Sequence, residues 1–129
     1  TPKALNIFHA KCATNPEAEI MYRRSAMKHT IDRDAAYLDA PKARSRAAGY
    51  FYLGNNNGKL FNGPIFILTK LIKAVMASAA EAECAGLYLN AHESIPMRTT
   101  LIELGHPQPK DVTPLRTDNS TASGTLNKT

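Results

Sequence analysis

The sequence predicts a single α/β domain with mixed sheet pairing, on three observations. Short β-prone segments come first, at residues 28–37, 50–53 and 64–69. A long alanine-rich helix follows, starting at Ser78. One further strand at 112–117 then leads into a second helix from Asn119. Strands, then helix, strand and helix, is the order of a layered α/β domain. The 129 residues match one domain, since about 150 residues per domain is usual. A composition of 43% hydrophobic and 21% charged residues excludes wholesale disorder, collagen-like chains and disulfide scaffolds.

Taken in order, Lys3 to Ala13 form a short helix, with Leu5, Phe8 and Cys12 at helical spacing. Asn15-Pro16 is a turn, because the residue before proline is pushed out of the helical region. Glu19 to Tyr22 and Lys28 to Tyr37 read as extended, and a basic loop follows around Pro41. Tyr50-Phe51-Tyr52-Leu53 is strongly β-prone. Its aromatic rings read as core in preference to a base-stacking platform. Three asparagines between Gly54 and Gly58 make turn material. Ile65-Phe66-Ile67-Leu68 then gives a second strand, which completes a hairpin or meander.

Ser78 with Glu81 three residues later is a capping box, which satisfies two orphan N–H groups at a helix start. Helix propensity is high to about Glu93, and Pro96 predicts a kink or restart. Gly105 and Pro107 close the helix. Val112 to Thr117 is a strand with Pro114 tolerated near its start.

Charge is distributed unevenly. Residues 1–64 carry ten basic and five acidic side chains, whereas 65–129 carry six of each, so the net +5 lies in the first half. Most of it falls between Arg23 and Arg46, which points to a polyanionic partner. Cys12 and Cys84 show no metal-ligand or redox spacing. They read as free thiols in a reducing, intracellular compartment, cytoplasmic or nuclear. Lys70 and Lys73 interrupt the best apolar run, so no membrane span is expected. The four histidines share no ligand spacing.

Three acids stand out by position. Alternation from Thr30 to Tyr37 sets Ile31 and Arg33 on one strand face and Asp32, Asp34 and Ala36 on the other. At roughly 100° per residue, Glu83 falls between Ala79 and Leu87 on the apolar side of the helix, while Glu81 points away. Asp118 ends a strand where the next helix begins, the usual ligand side of an α/β sheet. Three converging carboxylates would call for a hard divalent cation such as Mg²⁺. Each also has a plainer reading: Asp118 as a helix N-cap, Glu83 as a surface residue, Asp34 as a turn acid.

Together these segments resemble the ribonuclease H domain of copia-type LTR retrotransposon polyproteins. The residues that carry the resemblance are Asp34-Ala35-Ala36-Tyr37, then Lys42-Ala43-Arg44-Ser45-Arg46, then Gly49-Tyr50-Phe51-Tyr52-Leu53-Gly54. They continue in Ser78-Ala79-Ala80-Glu81-Ala82-Glu83, Leu101-Ile102-Glu103-Leu104-Gly105 and Asp118-Asn119-Ser120-Thr121-Ala122. The resemblance covers residues 27–129 as a C-terminally incomplete domain, and 1–26 resemble the connection that precedes it.

It implies a ribonuclease H-like fold, a five-stranded mixed sheet of order 3-2-1-4-5 flanked by helices. It also implies two-metal hydrolysis of the RNA strand of RNA/DNA hybrids. Asp34, Glu83 and Asp118 would be the catalytic and metal-binding acids, holding two Mg²⁺ ions or Mn²⁺ in their place. Lys42, Arg44, Arg46, Asn119 and Ser120 would contact nucleic acid, and the rest of a reverse transcriptase polyprotein would be a partner. A decayed or domesticated copy serving as a structural or nucleic-acid-binding module is the alternative. The family's fourth carboxylate is missing, so the end at Thr129 reads as a cut before the last strand and helix. Arg33 departs from the small polar residue usual before the first acid, and alternation predicts that it points away from the acids.

Overall fold

The computed structural model describes residues 2–110 and 113–116. In chain order the elements are α1 (Pro2–Thr14), β1 (Lys28–Ala40), β2 (Arg44–Gly54), β3 (Pro64–Leu71), α2 (Ala79–Glu103) and β4 (Leu115–Arg116). They form a four-stranded mixed sheet of order β3-β2-β1-β4. β1 pairs antiparallel with β2, and β2 antiparallel with β3. β4 runs parallel to β1, with Ile31 opposite Leu115 and Asp32 opposite Arg116. The predicted order of the first four strands is therefore present. Val112, Thr117 and the helix expected from Asn119 lie outside the described residues.

Side-chain alternation splits the sheet into two faces. Ile31, Phe51 and Leu68 point to the α2 side and form the core, with Phe66, Leu89, Met97 and Leu115 packed around them. Ile31 and Phe51 are fully buried, worth about 1.5–3 kcal/mol each in transfer from water. The other face bears Asp34, Arg46, Ala48, Tyr50 and Ile67, and no helix of the described chain covers it. Arg46, Ala48 and Ile67 are exposed there and Tyr50 is half-buried.

The side of α2 that meets the sheet is small and polar rather than apolar. Ala82, Glu83, Gly86, Asn90, Ser94 and Leu101 are its buried residues, while Ala79 is exposed and Leu87 half-buried. Gly86 lets the helix come close, since a Cβ there would meet Ala35 Cβ at 3.2 Å. Gly49 does the same from the strand, since a Cβ there would stand 1.8 Å from Asn90 Oδ1. Asn90 Nδ2 donates to Ala48 O at 3.1 Å and to Gly86 O at 2.8 Å, so an amide fastens helix to sheet.

Four local expectations change. Glu19–Tyr22 is no strand; it is held by isolated bonds, Gly63 N to Met21 O at 2.8 Å and Arg23 N to Asn62 Oδ1 at 2.7 Å. The loop around Pro41 shrinks to residues 41–43, because Arg44 and Arg46 already belong to β2. α2 passes through Pro96 without a break. Its second half is anchored by Met97 on the core, by buried Leu101 and by Arg98 donating to Thr113 Oγ1 at 3.2 Å, and such packing outweighs one lost backbone bond. At the cap, Ser78 Oγ accepts from Glu81 N at 3.2 Å, as expected, but Glu81 Oε2 accepts from Ala77 N at 2.6 Å instead of from Ser78 N.

The β1–β2 hairpin is irregular. Its register shifts between Ala36 and Ala40, and Leu38, Lys42 and Ala43 have φ of 53°, 64° and 51°. α1 contributes no buried residue. Among the described residues no helix is long and apolar enough to cross a membrane.

Candidate functional site

Glu83 lies in the second turn of α2, and its inward placement matches the helical-period reading. Among the described residues it is the only buried acid, at 6% exposure. An isolated buried carboxylate is costly, and here the cost is met by Arg33 of β1. Arg33 Nη1 donates to Glu83 Oε2 at 2.6 Å and to the Glu83 backbone oxygen at 3.3 Å. Both side chains are nearly dry, at 1% and 8% exposure. The expectation that Arg33 points away from the acids is therefore wrong for Glu83. Arg33 shares the inward register of Ile31, so alternation carries it under the helix.

Asp34, one residue on, takes the opposite face and is exposed. Its Oδ1 accepts from Ala35 N at 2.8 Å, a local bond of turn-like character. Asp34 and Glu83 are thus separated by the sheet, and the structure does not bring them together. Asp118, Asn119 and Ser120 lie outside the described residues. Among the described residues no three acidic, histidine or cysteine side chains gather as a metal site would require. Hard cations need several oxygen ligands. With Glu83 taken by a guanidinium and Asp34 beyond the sheet, the described residues do not fit the pair of Mg²⁺ ions that the resemblance implies.

On the uncovered face Asp32 and Asp34 line a shallow groove with Ala48, Tyr50, Ile67 and Thr69. Arg46 follows Ala48 outward along β2, and its Nε is 3.6 Å from Asp39 Oδ2, an exposed pair of little energetic weight. Arg44 is half-buried and Lys42 exposed at the hairpin tip. Of the three basic residues predicted to contact nucleic acid, Lys42 therefore lies in the hairpin turn and Arg44 and Arg46 at the start of β2, the strand that leads on to Ala48 and Tyr50 of the groove.

The aromatic residues divide as predicted only in part. Phe51 is core, with Phe66 edge-on at 5.2 Å. Tyr50 stacks on exposed Phe61 at 5.0 Å, and its hydroxyl donates to Asn62 O at 2.8 Å. Burial and the nearby Tyr22 and Asp32 hold the Tyr50 hydroxyl above its ordinary pKa. Burial and Asp32 do the same for Tyr52, against an opposing effect of Arg116.

A histidine without ligand spacing is expected to be solvated or locally bonded, but His29 lies in the core at 1% exposure. Its ring stacks on Phe51 at 5.8 Å, and neither ring nitrogen has a hydrogen-bond partner among the described residues. Burial, assisted by the charge of Arg98, lowers its pKa to about 4. The signal was available, since His29 precedes Ile31 and Arg33 in the same inward register. Cys12 and Cys84 are free and exposed.

Comparison with protein-family models, with curated proteins and with solved structures finds no match.

Proposed function

We propose that this chain is the ribonuclease H-like domain of a copia-type retroelement polyprotein, working on RNA/DNA hybrids by hydrolysis of the RNA strand. One observation carries the proposal. Glu83, the helix acid that the resemblance singles out, is among the described residues the one acid buried against β1, in a sheet of order β3-β2-β1-β4 with β4 parallel to β1. Lys42, Arg44 and Arg46 supply phosphate contacts, and hybrid recognition rests on groove shape and 2′-hydroxyls, not base sequence. The free thiols of Cys12 and Cys84 suit a reducing intracellular setting.

The test is cleavage of a labelled RNA/DNA hybrid with Mg²⁺ or Mn²⁺ added and with chelator. The three-acid assignment requires that Glu83→Gln, Asp34→Asn and Asp118→Asn each abolish cleavage, although Asp34 and Glu83 lie on opposite faces of the sheet. Unchanged cleavage in the Glu83 and Asp118 variants refutes the three-acid assignment. A second reading, a module that binds hybrid without cutting it, is favoured by the Arg33–Glu83 pair, which leaves Glu83 already neutralised. Retention of hybrid in a gel shift with no product at any metal concentration would select it.

A further inference from the structure

β3 is an edge strand of the sheet, and its free side can be read group by group. Ile72 N donates to Ser45 O at 2.9 Å, and these two residues face each other in the register that sets Arg46 opposite Leu71. In an antiparallel ladder such hydrogen-bonded pairs alternate with pairs whose polar groups turn away. Phe66, Leu68 and Lys70 therefore direct their N–H and C=O groups at β2. Those of Ile67, Thr69 and Leu71 point out of the sheet, where no strand of the described residues pairs with them.

Edges are commonly guarded by charge, proline or irregularity against pairing with another chain. This one is guarded little. Pro64 and the register shift beside it protect only the start of β3. Ile65, Ile67 and Leu71 are exposed apolar side chains, and Thr69 is exposed and neutral. Lys70 is already matched by Glu93 of α2 at 3.4 Å. Next to the edge, Leu71, Ile72, Tyr88 and Leu89 help to line an apolar groove of about 440 Å³ between β3 and α2.

We propose that β3 pairs antiparallel with β3 of a second copy of this chain, so that two sheets join into one across a two-fold axis. Backbone parity requires outward-facing residues to meet outward-facing residues. Gly63 and Pro64 are already held by Met21 O and the Tyr22 hydroxyl, so the free stretch is 65–71 and its midpoint is Leu68. With the axis there, Ile67 meets the partner's Thr69, Ile65 meets the partner's Leu71, and the partner's residues 64–66 run along the groove. Lys70 faces the partner's Phe66. The two Lys70 residues stand ~13 Å apart along the strand at about 3.3 Å per residue, beyond a Debye length of about 8–10 Å. The outward row of Ile65, Ile67, Thr69 and Leu71 offers a charged peptide no opposite charge, whereas a second copy supplies a neutral apolar row like itself. Such an isologous contact closes at two copies. One strand and one groove make a small interface, so the association is weak and reversible.

Sedimentation of the full chain over the micromolar to millimolar range should show a single monomer–dimer equilibrium. Ile67 is 59% exposed, so Ile67→Lys should leave the thermal melt of the monomer unchanged while raising the dimer dissociation constant at least tenfold. If that variant does not fold, Thr69→Lys takes its place. Amide hydrogen exchange reads the register: Leu68 and Lys70 should be protected at every concentration, and Ile67 and Thr69 only in the dimer.

A chain that stays monomeric, or one whose assemblies grow past two copies, overturns the pairing. So does a dimer indifferent to a folded lysine variant, or Ile67 and Thr69 amides that exchange alike in monomer and dimer. The pairing stands apart from the hydrolytic reading. A monomer that cleaves hybrid removes the pairing alone, and a dimer that neither binds nor cleaves hybrid removes the proposed function alone.

Discussion

Arg33 on β1 and Glu83 on α2 form a buried ion pair with Nη1 2.6 Å from Oε2, which links the sheet to the helix laid across it, beside a more exposed pair of Lys70 on β3 and Glu93 on α2 at 3.4 Å. Breaking such a pair on one side strands the other charge. Arg33→Ala and Glu83→Ala should each cost about 3–5 kcal/mol, while a well-packed apolar double replacement such as R33M/E83L should cost far less. Urea unfolding of the three variants measures this. A double-variant loss equal to the sum of the two single losses would show that the pair is uncoupled.

His29 gives the fold a pH dependence of known sign. Its pKa is lowered in the fold from 6.5 to about 4, so the folded chain favours the neutral ring. The stability this supports is fully present above pH 6.5 and declines as the pH falls towards 4, by about 3 kcal/mol in all. His29→Leu should flatten that part of the stability curve relative to wild type. Parallel curves over the same range would exclude His29 as the cause.

Gly49 should not tolerate a side chain. A Cβ would lie 1.8 Å from Asn90 Oδ1 and 2.8 Å from Phe51 Cε2. Gly49→Ala should therefore cost about 2 kcal/mol or more, in the range of overpacked cores. Combined with Asn90→Ala the loss should be less than additive, because the two changes share one contact. Thermal melts of both variants decide it.

The basic strand makes a prediction about salt. If Lys42, Arg44 and Arg46 contact phosphates, hybrid affinity should fall steeply as salt rises. Each glutamine replacement should then lower the slope of log K against log salt by about 0.7–0.9. Fluorescence titrations at several salt concentrations measure the slope, and an unchanged slope in the triple variant would dismiss these residues as phosphate contacts.

The fold was legible wherever one strong local signal stood alone. The aromatic strand at Tyr50–Leu53, the asparagine turn and the Ser78 cap all depend on near neighbours. Residues 19–22 were misread because extended backbone needs a partner strand to become sheet, and no local pattern reports one. Pro96 was given too much weight, since burial of Leu101 and the contacts of Arg98 belong to tertiary structure. In the candidate site, the inward turn of Glu83 followed from helix period. Strand alternation set Arg33 beside Ile31 and opposite Asp34, but the expectation that it therefore points away from all the acids fails at Glu83. The two readings had only to be combined: a buried anion on the helix calls for a buried cation on the strand.

The hairpin tip carries a further meaning. Lys42 and Ala43 occupy left-handed backbone, with φ of 64° and 51°, where a residue with a Cβ is disfavoured by roughly 1–2 kcal/mol relative to right-handed geometry. Glycine would sit there without that penalty. A glycine substitution made to stabilise this chain would therefore begin at position 42 or 43, and at position 42 it would delete a cationic side chain from the hairpin turn. Thermostability and charge compete for one codon, so the residue found there records which of the two has been kept.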